Sequence, residues 1–359
     1  MWHDRRLLEL FGIEHPIVLA PMAGAMDAAL AAEVAKAGGL GSLPAALLDA
    51  GRLREQVVAF RAAAPGKPVN LNFFSHTPPV PNNAREVAWR EALKPYYGEL
   101  GIDPNAPVPA SNRAPFDDAF CAVVEELKPE IVSFHFGLPD AALVARVRAA
   151  GAKIIACATT VAEAIWLDER GCDAIIAQGY EAGGHRGNFL SDDLSNQVGT
   201  FALTPLVADA VKAPVIAAGG ISDARGIVAA LALGAAGVQI GSGFLHCPES
   251  KVAPPHRELL RTARGRDTAV TNVMTGRPAR GFINRVMREL GPVSPVAPEF
   301  PLAGGALAPL GKAAQAQGSG DFSSMWAGQA VALGREEPAA ALTARLADEA
   351  QALMRRMAG

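Results

Sequence analysis

The stretch PVIAAGGISDARGIVAALALGAAGVQIGSGF, residues 214–244, decides how this chain is read. Its two ends, PVIAAGG (214–220) and GVQIGSGF (237–244), are short apolar runs closed by glycine. Between them, DARGIVAALALG has the spacing of a helix with an apolar face and stops on a glycine. From Gly226 to Pro248 there is no charged residue, a run long enough to raise the question of a membrane span. Gly234, Gly237, Gly241 and Gly243 interrupt it, and its pattern changes midway, so a buried helix followed by a buried strand is expected instead. Both strands are continuously apolar, as strands of a parallel sheet are when each face is covered.

The same unit recurs outward from there. PIVLAPM (16–22), GLGSLPA (39–45), PVNLNFF (68–74), IVSFHFG (131–137), KIIACAT (153–159) and AIIAQG (174–179) are further apolar runs. Helical patterns such as DAALAAEVAKAG, DAALVARVRAAG and TVAEAIWLDERG separate several of them. Eight strands alternating with helices predict an α/β fold of the (β/α)8 TIM-barrel type. An open doubly wound sheet is the alternative. It would be expected to carry G-x-G-x-x-G after its first strand, and none follows.

Two segments break the rhythm. Residues 75–115 are rich in proline and asparagine and read as a long excursion after the third strand. Residues 246–324 hold nine prolines, and ten Lys/Arg against six Asp/Glu give them a local balance of +4. They read as a smaller inserted substrate or lid domain. The barrel is then expected over 1–245 and 325–359. The 359 residues are 50% hydrophobic and 19% charged with a net charge of −3, an ordinary globular composition with no basic excess for nucleic acid. The start, MWHDRRLLELFGIEHP, lacks the apolar core of a secretion signal. Cys121, Cys157, Cys172 and Cys247 form no CxxC pair and read as reduced, buried thiols of a cytoplasmic protein.

Barrel chemistry sits at the C-terminal ends of the strands. Here those ends carry Ala20, Pro21 and Met22; Asn72 and His76; His135; Gln178; Gly219 and Gly220; and Gln239, Ile240, Gly241 and Ser242. Glycines after strands seven and eight suit a phosphate, because their N–H groups are free to point at an anion. One phosphate together with amide-type side chains suggests FMN, with Met22, Asn72 and Gln178 at the polar edge of its ring and small residues on strand one allowing close approach. No lysine ends a strand, which disfavours Schiff-base chemistry, and the residues for a metal site are too few, so no metal is expected. The loop AQGYEAGGHRGNFL (177–190) surrounds His185 with glycine. Imidazole titrates near neutrality, so His185 is the candidate for moving a proton at a carbon beside the flavin. His76 and His135 are candidate substrate contacts, although a purely packing role is open for both. Arg186 reads equally as a loop tether or an anion clamp.

PIVLAPMAG, VNLNFFSH, SFHFG, AQGYEAGGHRG, PVIAAGGI, GVQIGSGF and WAGQA together resemble the nitronate monooxygenases, formerly 2-nitropropane dioxygenases. The likeness runs from about residue 12 to 335, and NFFSH with SFHFG points to the class I type. It implies non-covalent FMN in the barrel beneath a smaller domain, and oxidation of alkyl nitronates such as propionate 3-nitronate by dioxygen to a carbonyl compound and nitrite. Neutral nitroalkanes are possible substrates, with His185 as the catalytic base. The implied flavin contacts are Met22, Asn72, Gln178, Gly183, Gly220 and residues 239–242. Ser242 stands where relatives often have threonine and keeps the hydroxyl. A flavin-dependent enoyl-acyl-carrier-protein reductase and a non-catalytic FMN-binding protein remain the alternatives. The expected partners are small molecules, without nucleic acid or membrane, and a homo-oligomer is possible.

Overall fold

The computed structural model describes residues 2–80, 82–109, 113–262 and 267–359. Residues 81 and 110–112 of the first excursion and 263–266 of the second lie outside the described residues. The chain runs α1 (Arg6–Phe11), β1 (Ile17–Leu19), α2 (Ala28–Lys36), β2 (Gly41–Pro44), α3 (Ala50–Ala63), β3 (Val69–Phe74), α4 (Asn83–Glu99) and α5 (Asp118–Leu127). It continues with β4 (Ile131–His135), α6 (Ala141–Ala149), β5 (Lys153–Ala158), α7 (Val161–Glu169), β6 (Ala174–Gln178), β7 (Gly184–His185), α8 (Thr200–Ala210), β8 (Val215–Ala218), α9 (Ala224–Ala232) and β9 (Gly237–Ile240). Then follow α10 (Pro254–Arg261), β10 (Thr268–Thr271), β11 (Ala279–Phe282), α11 (Arg285–Leu290), α12 (Ala303–Ala316) and α13 (Ala339–Ala358).

Eight parallel strands pair in the order β1-β9-β8-β6-β5-β4-β3-β2. The ends of that sheet meet, because Leu19 N–H donates to the Leu40 carbonyl and Leu40 N–H to the Ile17 carbonyl, both at 2.9 Å. The result is the expected (β/α)8 barrel. The strand residues pattern as the sequence requires: β1, β3 and β6 are buried at every position, with a helix layer outside and packed side chains within. The uncharged run from 226 to 248 supplies most of α9, then β9. Among the described residues, no helix is long and apolar enough to cross a membrane.

Short polar side chains start several of the outer helices. Asp27, Asp49, Asp117, Thr160 and Asp223 each accept a hydrogen bond from a first-turn N–H, which satisfies donors the helix cannot pair internally. α13 returns to pack against α2 and α9 and completes the outer ring. All four cysteines are free and buried.

Residues of the two excursions share a second hydrophobic core. Trp89, Leu93, Tyr96 and Tyr97 of α4 pack with Val273, Met274, Val286, Leu307 and Leu310. Trp89 Nε1 donates to the Ala303 carbonyl at 3.1 Å and Tyr97 Oη to the Ala306 carbonyl at 2.5 Å, so both buried polar tips are satisfied. The 75–115 excursion therefore contains a 17-residue helix that runs through Pro95, with its buried positions Trp89, Leu93, Tyr96 and Tyr97 at helical spacing. A small sheet, β10-β11-β7, joins this second core to the barrel: β11 pairs antiparallel with β7, placing Ala279 opposite His185.

Candidate active site

A cavity of about 520 Å³ opens at the C-terminal ends of the barrel strands. Ala20, Pro21, Met22, Asn72, His135, Gln178, Gly183, His185, Gly219, Gly220, Gln239, Gly241 and Ser242 all line it. Ile240 does not: its side chain is fully buried in the barrel, and its carbonyl accepts from Ala20 N–H. His76 is also outside the lining. It is buried with its ring against Phe74, Phe136 and Phe300. Burial, with Arg277 adding positive charge, pushes its pKa down to about 4.

The floor of the cavity is a set of unspent backbone donors. The N–H groups of Gly219, Gly220, Ile221, Gly241 and Ser242 reach no protein acceptor among the described residues. Gly219 and Gly220 have φ of +107° and +71°, a left-handed backbone that turns the amides out of the strand direction. α9 begins directly beyond, so the positive end of its dipole faces the same place. Ser242 Oγ accepts from Gly328 N–H at 2.8 Å, and its own proton remains for a ligand. Gln239 Oε1 is buried with no donor among the described residues, which asks for a hydroxyl or N–H from a bound molecule. Asn72 is held by Nδ2, which donates to Ser133 Oγ at 3.0 Å; its Oδ1 has no protein donor among the described residues.

The glycine loop is built around the His185 main chain. Gln178 donates from Nε2 to the His185 carbonyl at 3.0 Å and accepts at Oε1 from Gly187 N–H at 2.8 Å. Most of its amide is thus committed to the loop. His135 Nε2 donates to the same His185 carbonyl at 3.1 Å, which makes it the Nε2–H form. Its pKa lies down at about 4, chiefly from burial. Arg186 is fully buried and is a tether, not an anion clamp. Its Nη1 donates to the Gly179 carbonyl, Nη2 to the Gln178 carbonyl and Nε to Gln197 Oε1 at 2.8–2.9 Å. Burial draws its pKa down to about 10, so it remains a cation at neutral pH. The glycines are demanded by contact as well: a Cβ on Gly183 would sit 2.5 Å from Gly328 N, and one on Gly179 1.9 Å from Thr200 Oγ1.

The His185 side chain stands among the rings of Phe74, Phe136, Phe300 and Trp326. Its Nε2 is 3.0 Å from Thr275 Oγ1. Burial, then the positive charge of Arg113 and the neighbouring His135, Arg277 and His76, holds its pKa well below the ordinary value. The imidazole is therefore neutral at pH 7, a proton acceptor in an otherwise apolar wall.

Sequence reading passed over Arg113, Thr275 and His256. Arg113 lines the cavity, and the effect of its charge on His185 places it at that end. Among the described residues Glu181 is the one carboxylate in the lining, and it accepts from Thr200 N–H and Oγ1 at 2.8 and 2.9 Å. Arg113 and Arg277 both bear on His185, so that end is electropositive and suits an anion. Among the described residues, no cluster of three His, Cys, Asp or Glu is placed to hold a metal ion.

The nitronate monooxygenase family model matches residues 4–349. A protein of Paraburkholderia phytofirmans named nitronate monooxygenase is 44% identical over 96% of this chain and 94% of its own length. One of Pseudomonas aeruginosa with the same name is 43% identical over 96% and 98%. Among solved structures, nitroalkane oxidase from Streptomyces ansochromogenes superposes with a TM-score of 0.87 at 36% identity, covering 98% of this chain and 99% of that one. FabK from Thermotoga maritima follows at 0.75 and 29%, covering 99% and 98%.

Proposed function

The chain belongs to the nitronate monooxygenase family and is an enzyme of that kind, and from this premise we propose that it oxidises alkyl nitronates with FMN and dioxygen, releasing nitrite and a carbonyl compound. The observation that carries the cofactor is the cradle of five unspent N–H groups at Gly219, Gly220, Ile221, Gly241 and Ser242, at the place where barrels bind a phosphate. The residues fit the rest of the flavin as well. Ala20, Pro21 and Met22 present small or flexible side chains and backbone to a planar ring. Asn72 Oδ1 and Gln239 Oε1 offer acceptors to its N–H and hydroxyl groups. Bound there, FMN would accept electrons from the nitronate and pass them to dioxygen.

The protein supplies position, charge and a proton acceptor. Arg113 gives the anionic nitronate a countercharge at the His185 end. Where the substrate is a neutral nitroalkane, the neutral His185 imidazole takes the proton from the carbon beside the nitro group. With a preformed nitronate no proton has to leave carbon, so no base is needed, and Arg113 is the group that draws the anion to this end. Residues 246–324, joined through their core by α4, act as the substrate lid: Lys251, His256, Gln315 and Ser323 bring that segment to the cavity wall. The higher TM-score to nitroalkane oxidase than to FabK supports this chemistry over enoyl reduction. The test is His185→Asn. It should retain bound flavin and lose nitroethane turnover by about 100-fold or more, the usual value of a positioned base. Unchanged turnover of both nitroethane and its nitronate would overturn the assignment.

A further inference from the structure

We propose that Thr275, at the tip of the β10–β11 turn, is a positioning residue that holds His185 as its Nε2–H tautomer and so presents the Nδ1 lone pair to the cavity. The inference rests on the base role given to His185 above. Its physical basis is a proton count. Thr275 Oγ1 has one proton and two neighbours: His185 Nε2 at 3.0 Å and the Arg277 carbonyl at 3.4 Å. A carbonyl only accepts, and Thr275 is the one protein donor it meets among the described residues, so the hydroxyl proton is assigned to Arg277. The oxygen is then left to accept, which makes His185 Nε2 the donor in this arrangement.

The reverse arrangement, with Thr275 donating to Nε2, leaves the Arg277 carbonyl without any protein donor among the described residues. Thr275 is itself buried, so the hydroxyl is not free to choose water. Nδ1, by contrast, bonds no protein atom among the described residues and is not among the side-chain atoms sealed from solvent without a partner. It belongs to a ring that lines the cavity. A base needs its lone pair on the side where the substrate binds, and the partner of the other nitrogen decides which side that is.

The arrangement also ties the second core to the barrel. Thr275 follows β10, while His185 lies on β7, which pairs with β11. The main chain of His185 is fixed from the barrel side by Gln178 and His135, and its side chain is fixed from the other side by Thr275.

The experiment uses the flavin-loaded protein and three variants, Thr275→Val, Thr275→Ser and His185→Asn, with 15N-histidine labelling. Nitrogen NMR of the wild type should show His185 protonated on Nε2 and bare on Nδ1. Thr275→Val should lose that preference and Thr275→Ser keep it; His185→Asn identifies the signals. A wild-type ring protonated on Nδ1, or a Thr275→Val ring unchanged from wild type, would overturn the proposal whether or not His185 proves to be the base. In turnover, Thr275→Val should lower kcat/KM for neutral nitroethane about tenfold, the worth of one neutral hydrogen bond. Turnover of preformed ethyl nitronate should change less than about threefold, and Thr275→Ser should restore the neutral substrate. An equal loss on both substrates would reduce Thr275 to a packing residue and refute the inference.

Discussion

Replacing Gly219 with alanine tests the phosphate cradle against a control one residue away. At Gly219, φ is +107° and an added Cβ would lie 2.9 Å from Ala182 N and 3.0 Å from Thr200 Oγ1. The backbone strain costs about 1–3 kcal/mol, and forcing a methyl against main chain costs about 1–3 kcal/mol more. The sum is about 4 kcal/mol. At Gly220, φ is +71° but the nearest atom to a Cβ is 3.6 Å away. Only the left-handed strain applies there, about 1 kcal/mol. If the loop holds its shape, the cost appears as lost stability, about 1.3 °C of melting temperature per kcal/mol for a chain of this length. If the loop gives way, the N–H cradle is disarranged, and the cost appears as weaker FMN binding, a factor of about ten per 1.4 kcal/mol. FMN titration of the apoprotein, with thermal melting of each variant, measures both. The two losses together should reach about 4 kcal/mol for Gly219→Ala and about 1 kcal/mol for Gly220→Ala. A Gly219→Ala protein that binds FMN and melts like wild type, or a Gly220→Ala protein that is worse, would refute the reasoning.

Arg113→Met should raise KM for nitronates by about tenfold or more with kcat less affected, since it removes a countercharge rather than a reacting group; a KM within twofold of wild type would remove Arg113 from the site. Arg186→Met should destabilise the protein by about 2–4 kcal/mol in urea, because the Gln178 carbonyl and Gln197 Oε1 lose the guanidinium donor and the Gly179 carbonyl keeps only Ala182 N–H; an unchanged urea midpoint would show that the tether is dispensable. Acid should destabilise the fold through histidines held neutral. For His135 the pKa falls from 6.5 when unfolded to about 4 when folded, so the unfolded chain binds more protons between those values. Its contribution is present in full above pH 6.5, shrinks as pH falls toward 4 and is gone below. At pH 5 the loss from this one group is on the order of 2 kcal/mol, and urea melts at pH 7 and 5 will show it. Equal stability at both would contradict it.

The barrel was legible because a strand covered on both faces is written as a continuous apolar run, and several of its helices are followed by glycine. The set of unpaired amides was legible for a related reason: glycine at two adjacent strand ends leaves N–H groups turned outward. β7 was not legible, since a two-residue Gly184–His185 strand has no period to detect and exists only because β11 comes alongside. α4 was hidden by a core partner more than 200 residues away. Gln178 stands at a strand end, the position sequence can read, yet its amide is engaged mainly with His185 and Gly187. Arg186 stood open between two roles because sequence does not say where a guanidinium points. Thr275 and Arg113 lie in the irregular excursions, where only tertiary packing brings them to His185.

The most direct test is to mix the purified, flavin-loaded protein anaerobically with propionate 3-nitronate while recording its visible spectrum, and then to admit air. The account predicts that the flavin absorption falls on mixing, returns with oxygen, and is accompanied by nitrite. A bound flavin whose spectrum ignores the nitronate, with no nitrite after air, would contradict it.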